Sequence, residues 1–321
     1  MKILPDVVRP ALPRQARHAG DDYGATADPS WRAIDWRRQL RRTQIAGHAV
    51  NYVEIGDGGR DPAVFVHGLG GCWQNWLETL PRVGRGRRAI AVDLPGFGGS
   101  ELAAEPSIPA LGRFIDDLCE QLDLGRVALI GNSLGGFVAA ETATQFPQRV
   151  ERLALVAPAG VSRSHLERQP IAVTVRISRA ITAHSASAHR QVAARPRLRH
   201  LALQFVTRHP SRLDPDLVYE GLMRGAGKPG FAPTLSALMG YDFRERLGEI
   251  RCPTLILWGE KDAILPIADA SEFERLIAEA RTTVMGDTGH MPMIERPETF
   301  NRCLVEFLDA DVQARRAAAV P

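Results

Sequence analysis

Residues 126–135 read Arg126-Val127-Ala128-Leu129-Ile130-Gly131-Asn132-Ser133-Leu134-Gly135, an apolar run that ends in a Gly-x-Ser-x-Gly turn. A helix-like stretch follows from Gly136 to Phe146, so Ser133 is predicted on a tight strand-to-helix connection. With 29 glycines in 321 residues, this pentapeptide arises by accident about 0.1 times; the flanking strand and helix therefore carry the inference. The glycines remove the Cβ atoms that would block so sharp a turn, and the hydroxyl is lifted above the sheet edge. The competing reading is an ordinary glycine-rich connection.

A serine is a weak nucleophile, so the reading demands a base, a group that orients the base, and donors for an oxyanion. His290 is the candidate base, in Gly286-Asp287-Thr288-Gly289-His290-Met291-Pro292 between a strand-like 281–285 and a helix-like 297–308. The carboxylates of Trp258-Gly259-Glu260-Lys261-Asp262, after the apolar Thr254-Leu255-Ile256-Leu257, are candidates for fixing the imidazole tautomer. One oxyanion donor is expected from the backbone N–H of Leu134 and another from Leu69 in His67-Gly68-Leu69-Gly70-Gly71, where glycines let the backbone approach a carbonyl. His67 is read as a loop prop rather than a second base, and Cys72 as a small hydrophobe.

Six motifs stand in order between residues 43 and 310: His67-Gly68; Asp93-Leu94-Pro95-Gly96-Phe97-Gly98-Gly99-Ser100; Gly131-Asn132-Ser133-Leu134-Gly135; Phe146-Pro147-Gln148-Arg149-Val150; Trp258 to Asp262; and Gly289-His290. On these the chain resembles the serine members of the α/β-hydrolase superfamily, nearest the carboxylesterases, monoacylglycerol-type lipases and carbon–carbon bond hydrolases that share a Gly-Asn-Ser elbow. The resemblance implies catalytic Ser133, Asp262 and His290, in the family's chain order of nucleophile, acid and base. It favours Asp262 over Glu260 and implies that Asp93 and Ser100 shape a loop. A serine at position 133 argues against the aspartate-nucleophile branches of the fold. Met291 stands where carbon–carbon bond hydrolases usually carry an aromatic residue.

Short apolar segments near 43–46, 49–55, 63–67, 88–93, 126–131, 151–157, 253–258 and 281–286 alternate with helical stretches such as 107–123 and 134–146. An α/β fold follows: a mostly parallel eight-stranded sheet with helices on both faces, opened by a hairpin at Ala46-Gly47-His48. The expected organisation is an N-terminal arm at 1–42, a core at 43–159 and 243–310, a helical cap at 160–242 and a tail at 311–321. The cap has proline breaks at Pro170, Pro196, Pro210, Pro215, Pro229 and Pro233. Ile171, Val173, Val175, Ile177 and Ile181, and with them Leu222, Met223, Phe231, Leu235, Leu238 and Met239, line an acyl pocket or pack cap helices together.

Charge is uneven beneath a formal total of +3. Between Ser162 and Arg212 stand ten arginines against one acid, Glu167. This basic cap face is either solvated or in peripheral contact with an anionic membrane; without aromatic interleaving it does not read as a nucleic-acid surface. In the arm, Ser30 is expected to cap a helix carrying Trp31, Ile34 and Leu40, and residues 1–28 to be a flexible segment. Four cysteines without metal-site spacing, and no secretory leader, suggest a cytoplasmic, reduced protein. No cofactor and no metal are expected. The anticipated activity is cleavage of a small-molecule carboxylic ester with an apolar acyl chain, through an acyl-enzyme on Ser133. The alternatives are carbon–carbon bond hydrolysis and small-molecule binding with little turnover.

Overall fold

In a computed structural model, which describes residues 22–102, 106–161, 186–225 and 227–310, eight strands build one sheet. They are β1 (Leu40–Ile45), β2 (His48–Ile55), β3 (Ala63–Val66), β4 (Ala89–Val92), β5 (Val127–Asn132), β6 (Val150–Val156), β7 (Thr254–Gly259) and β8 (Ala280–Met285). Their spatial order is β1-β2-β4-β3-β5-β6-β7-β8. The hairpin β1–β2 closes at Ile45 opposite His48, with Ala46 and Gly47 both at positive φ (49° and 81°), as a two-residue primed turn requires. β2 is antiparallel to β4, and all later pairings are parallel.

The central strands are continuously apolar because both faces are covered. Along β3 and β4, Val64, Val66, Ile90 and Val92 point into one core, with residues of α3 (Ile108–Gln121) and α4 (Leu134–Gln145). Ala63, Phe65, Ala89 and Ala91 point into the other, with Leu80 and Val83 of α2 (Leu80–Val83) and Phe300 and Leu304.

The chain leaves β3 for β4 on one side and takes up β5 on the other. The loops that follow β3 and β5 therefore diverge, leaving a crevice at the carboxyl ends of two adjacent strands. The sequence placed its nucleophile and its oxyanion loop on these two connections.

Between β6 and β7 lie α5 (Ala186–Ala194), α6 (Pro196–Leu203), α7 (Pro215–Val218), a π-helical turn at Tyr219–Met223 and α8 (Phe231–Gly240), where the cap was expected. Pro196 and Pro215 open their helices, where a missing N–H costs nothing. Leu238 packs into the core shared with α3 and α4, with Phe231 and Met239 against it, while Met223 joins the opposite core. Ile171, Val173, Val175, Ile177 and Ile181 lie outside the described residues. So does residues 162–185 of the basic stretch. Of its other arginines, Arg199 is buried and donates to three backbone carbonyls, Arg190 lies over the Tyr219 ring, and Arg208 bonds Asp287, so these three hold structure.

The N-terminal segment departs from the expectation at three points. Ser30 does cap a turn, through its hydroxyl to the Arg32 N–H, but this is a 3-10 turn at Trp31–Ala33, followed by α1 (Trp36–Gln39) with Asp35 as its own cap. Leu40 is no part of a helix: it opens β1 opposite Val53, because the long strand β2 offers ladder bonds that outweigh local helix preference and move the start of the core from 43 to 40. Nor is residues 22–28 a loose arm: Tyr23 and Ala27 are buried and Gly24 donates to the Glu295 carbonyl.

After β7, α9 (Ala268–Leu276) covers the first core; after β8, α10 (Pro292–Glu295) and α11 (Pro297–Leu308) close the second.

Candidate active site

Ser133 sits at φ 54° and ψ −115°, a left-handed conformation that costs a non-glycine residue about 1–3 kcal/mol. Its flanking glycines follow from the geometry. A Cβ on Gly131 would stand 2.1 Å from the Gly135 carbonyl oxygen, and one on Gly135 would stand 2.2 Å from the Val66 carbonyl oxygen. The strained turn is pinned by the Ser133 N–H to the Val156 carbonyl (2.9 Å), and its own carbonyl accepts from Phe137 and Ala159 (3.1 Å each). Leu134 is the first residue of α4, where backbone N–H groups have no intrahelical partner. Leu69 lies on the facing loop, bent by a bond from the Gly71 N–H to the Gly68 carbonyl; a Cβ on Gly68 would lie 3.3 Å from that of Ser133.

Asp262 and His290 meet. Nδ1 of His290 lies 2.7 Å from Oδ2 of Asp262, with the carboxylate fully buried and the imidazole 5% exposed. The other carboxylate oxygen accepts from the Ile264 and Leu265 N–H groups (2.8 and 3.0 Å), which fixes its plane. With Nδ1–H donating to the carboxylate, Nε2 is left as the acceptor, as a general base requires. The rival carboxylate lies elsewhere: Glu260 is half exposed, bonds Lys261 and accepts the Asp287 N–H. That N–H, then Lys261, holds its carboxyl below the usual range. Asn132 ties the nucleophile turn to the base loop, since its Nδ2 donates to the carbonyls of Val156 and of His290 (3.1 and 3.3 Å).

His67 is a prop, with both ring nitrogens occupied: Nδ1 donates to the Gly68 carbonyl (2.8 Å) and Nε2 accepts the Leu94 N–H (3.0 Å). Burial holds its pKa below the ordinary histidine value. Asp93 accepts from Asn51, Trp73 and Gly99, and the Ser100 hydroxyl donates to the Asp93 carbonyl, so both residues shape their loop. Burial pushes the Cys72 thiol far above its ordinary value, which suits a small hydrophobe. Among the described residues no group of three or more His, Cys, Asp or Glu side chains could hold a metal, and no helix is long and apolar enough to cross a membrane.

Sequence reasoning passed over Asn132 as a tether, and Glu295, whose carboxylate meets the backbone on both sides of His290.

The alpha/beta hydrolase fold family model matches residues 61–297. The chain is 32% identical over 274 residues, 84% of its length and 69% of the other's, to the dihydrolipoyllysine-residue acetyltransferase component of the acetoin cleaving system of Pseudomonas putida. It is 27% identical over 285 residues, 84% of its length and 94% of the other's, to 2-hydroxy-6-oxo-6-phenylhexa-2,4-dienoate hydrolase of Comamonas testosteroni. Among solved structures, a bacterial membrane phospholipase A superposes with a TM-score of 0.67 at 26% identity, covering 84% of this chain and 86% of that one. With the family model matched over residues 61–297, which span the strained serine turn and the loops of Asp262 and His290, the chain belongs to the alpha/beta hydrolase fold family.

Proposed function

We propose that this protein is a serine hydrolase that cleaves small carboxylic esters with an apolar acyl group through an acyl-enzyme on Ser133. The observation that carries the reading is the buried His290–Asp262 bond, on loops after β7 and β8, joined through Asn132 to the strained serine turn after β5. His290 takes the hydroxyl proton through Nε2 as Ser133 attacks the ester carbonyl. The oxyanion is received by the N–H groups of Leu69 and Leu134, and His290 returns the proton to the departing alcohol. Water then repeats the sequence on the acyl-enzyme. Similarity to a phospholipase structure supports an ester substrate.

The test is turnover of p-nitrophenyl esters of graded acyl length together with fluorophosphonate labelling. Ser133→Ala is expected to lower kcat by about 10⁴-fold or more and to abolish the label. Near wild-type turnover by the variant would refute the nucleophile, and a wild-type protein with neither turnover nor label would point to a binder.

A second reading, carbon–carbon bond hydrolysis, is favoured by the Comamonas relative, which aligns over 94% of its length. A vinylogous diketo acid from aromatic ring fission decides: turnover of it well above that of any ester would replace the esterase reading.

A further inference from the structure

We propose that Glu295, with Tyr23 bound to it, is a positioning residue for His290, so that the N-terminal segment and the cap region jointly hold the base. The inference rests on the reading of His290 as the base and adds to it residues on three separate parts of the chain.

Glu295 is fully buried at the end of α10, and its carboxylate accepts four hydrogen bonds. Oε2 receives the Gly289 N–H (2.9 Å), the Arg208 N–H (2.7 Å) and the Tyr23 hydroxyl (2.7 Å); Oε1 receives the Met291 N–H (3.1 Å). Two of these donors are the backbone groups immediately before and after His290. No cation is among the four, and a buried carboxylate without one is tolerated only when its oxygens are satisfied by donors. Burial pushes its pKa up, and the backbone donors oppose that.

The remaining backbone groups of the base loop are held as well. The His290 N–H goes to the Val206 carbonyl (3.1 Å), and the His290 carbonyl accepts from Asn132. Gly289 has no room for a side chain, since a Cβ there would stand 2.8 Å from the Arg208 nitrogen and 3.0 Å from Glu295 Oε1. Residues 206–208 and 289–291 thus close on one carboxylate. The Tyr23 hydroxyl donates to Glu295 and accepts the His209 N–H (2.7 Å), which bridges the N-terminal segment to both. Asp22 reinforces that docking through Arg296 and the Thr299 hydroxyl.

Imidazole placement is where such a scaffold acts on rate. Displacing a reacting group by about 1 Å costs up to about 100-fold. In Glu295→Gln the shape is kept, but the amide has a single acceptor oxygen; with that oxygen on the Gly289 side its NH2 faces the Met291 N–H, so one side of the His290 loop loses its acceptor and the two sides are no longer held by one carboxylate. Tyr23→Phe removes one donor to the carboxylate, and the acceptor of the His209 N–H with it, and leaves the carboxylate.

The experiment uses both full-length variants with three readouts: p-nitrophenyl ester kinetics, the second-order rate of fluorophosphonate labelling at Ser133, and the low-field proton resonance of the His290–Asp262 bond. Glu295→Gln is expected to lower kcat and the labelling rate at least about tenfold with KM within about twofold, and to shift or broaden the resonance. Tyr23→Phe is expected to cause a smaller loss of the same kind, about threefold to tenfold. Wild-type kcat, labelling rate and resonance in Tyr23→Phe, and in Glu295→Gln where it folds, with only the melting temperature lowered, would overturn the proposal. If Glu295→Gln does not fold, Tyr23→Phe decides. A wild-type protein that is never labelled at Ser133 would instead sink the serine-hydrolase reading, and the resonance would still report whether Glu295 positions the imidazole.

Discussion

At the scale of single residues, the geometry assigns the tautomer of His290 through one acceptor, and this gives a sharp expectation. In Asp262→Asn, an amide N–H facing the imidazole would reverse the tautomer while the Ile264 and Leu265 N–H groups keep an oxygen to bond. Turnover is expected to fall about 10⁴-fold with near-UV circular dichroism unchanged; an unaltered rate would move the acid role to Glu260. His67 carries a prediction of the opposite kind, on stability. It is native in its neutral form, with a folded pKa depressed by burial, whereas the unfolded chain takes up a proton near pH 6.5. Its contribution to stability is therefore whole above about pH 6.5 and is lost as the pH falls from there through the folded value, by at most about 1.4 kcal/mol per pH unit. Urea titrations between pH 7.5 and 5 should show a shallower acid loss in His67→Gln than in the wild type, and equal slopes would remove His67 from the account. Ser133, Asp262 and His290 were legible because each stands in a short pattern tied to a strand end. Glu295 was not, because three of its four donors are backbone N–H groups, which leave no trace in residue identity.

Elements were legible wherever hydrophobic runs stayed local, and less so where a distant partner decides. The strands from β2 to β8 fall within about two residues of the apolar segments that predicted them, whereas β1 is set by its pairing with β2 and so begins three residues early. Contact of the segment between β6 and β7 with the loops after β3 and β4 left little sequence signal, since it is made mostly by glycines and carbonyls. A Cβ on Gly225 would stand 2.5 Å from the Gly70 carbonyl oxygen, Gly230 donates to the Gly96 carbonyl, and Asn75 donates to the Gly221 carbonyl. The segment after the π-helical turn therefore rests on the backbone that carries Leu69. Gly225→Ala is expected to cost about 1–3 kcal/mol through overpacking and to lower kcat, because the clash displaces Leu69, the proposed oxyanion donor. Gly240→Ala is the control: beyond its own helix backbone and chain neighbours nothing lies within 4 Å of its Cβ position, so stability and kcat should stay near wild type. Thermal melts and ester kinetics on the pair check this, and equal behaviour of the two variants would argue against the contact as a support for Leu69.

For the whole molecule, the boundary of the family match is not the boundary of the folding unit. The match runs from 61 to 297, yet β1, β2, Tyr23 and Trp31 precede it and α11 begins where it stops. Without β2, β4 keeps only β3 beside it and loses its second partner at all four residues from Ala89 to Val92, each fully buried, and so becomes an open apolar edge. Glu78, buried and with its carboxyl raised by burial, loses the Ala27 and Trp31 donors that satisfy it. Val50, Val53, Ile55, Phe300, Leu304 and Phe307 are all buried, each worth about 1.5–3 kcal/mol, and together they rival the whole net stability of a domain, about 5–15 kcal/mol. A fragment of residues 61–297 is therefore expected to be insoluble or to lack a cooperative melt and fluorophosphonate labelling, although it contains Ser133, Asp262 and His290. A fragment that melts cooperatively and labels at the full-length rate would show that the N-terminal segment and α11 are accessories, and would remove with them the role of Tyr23 in holding the base.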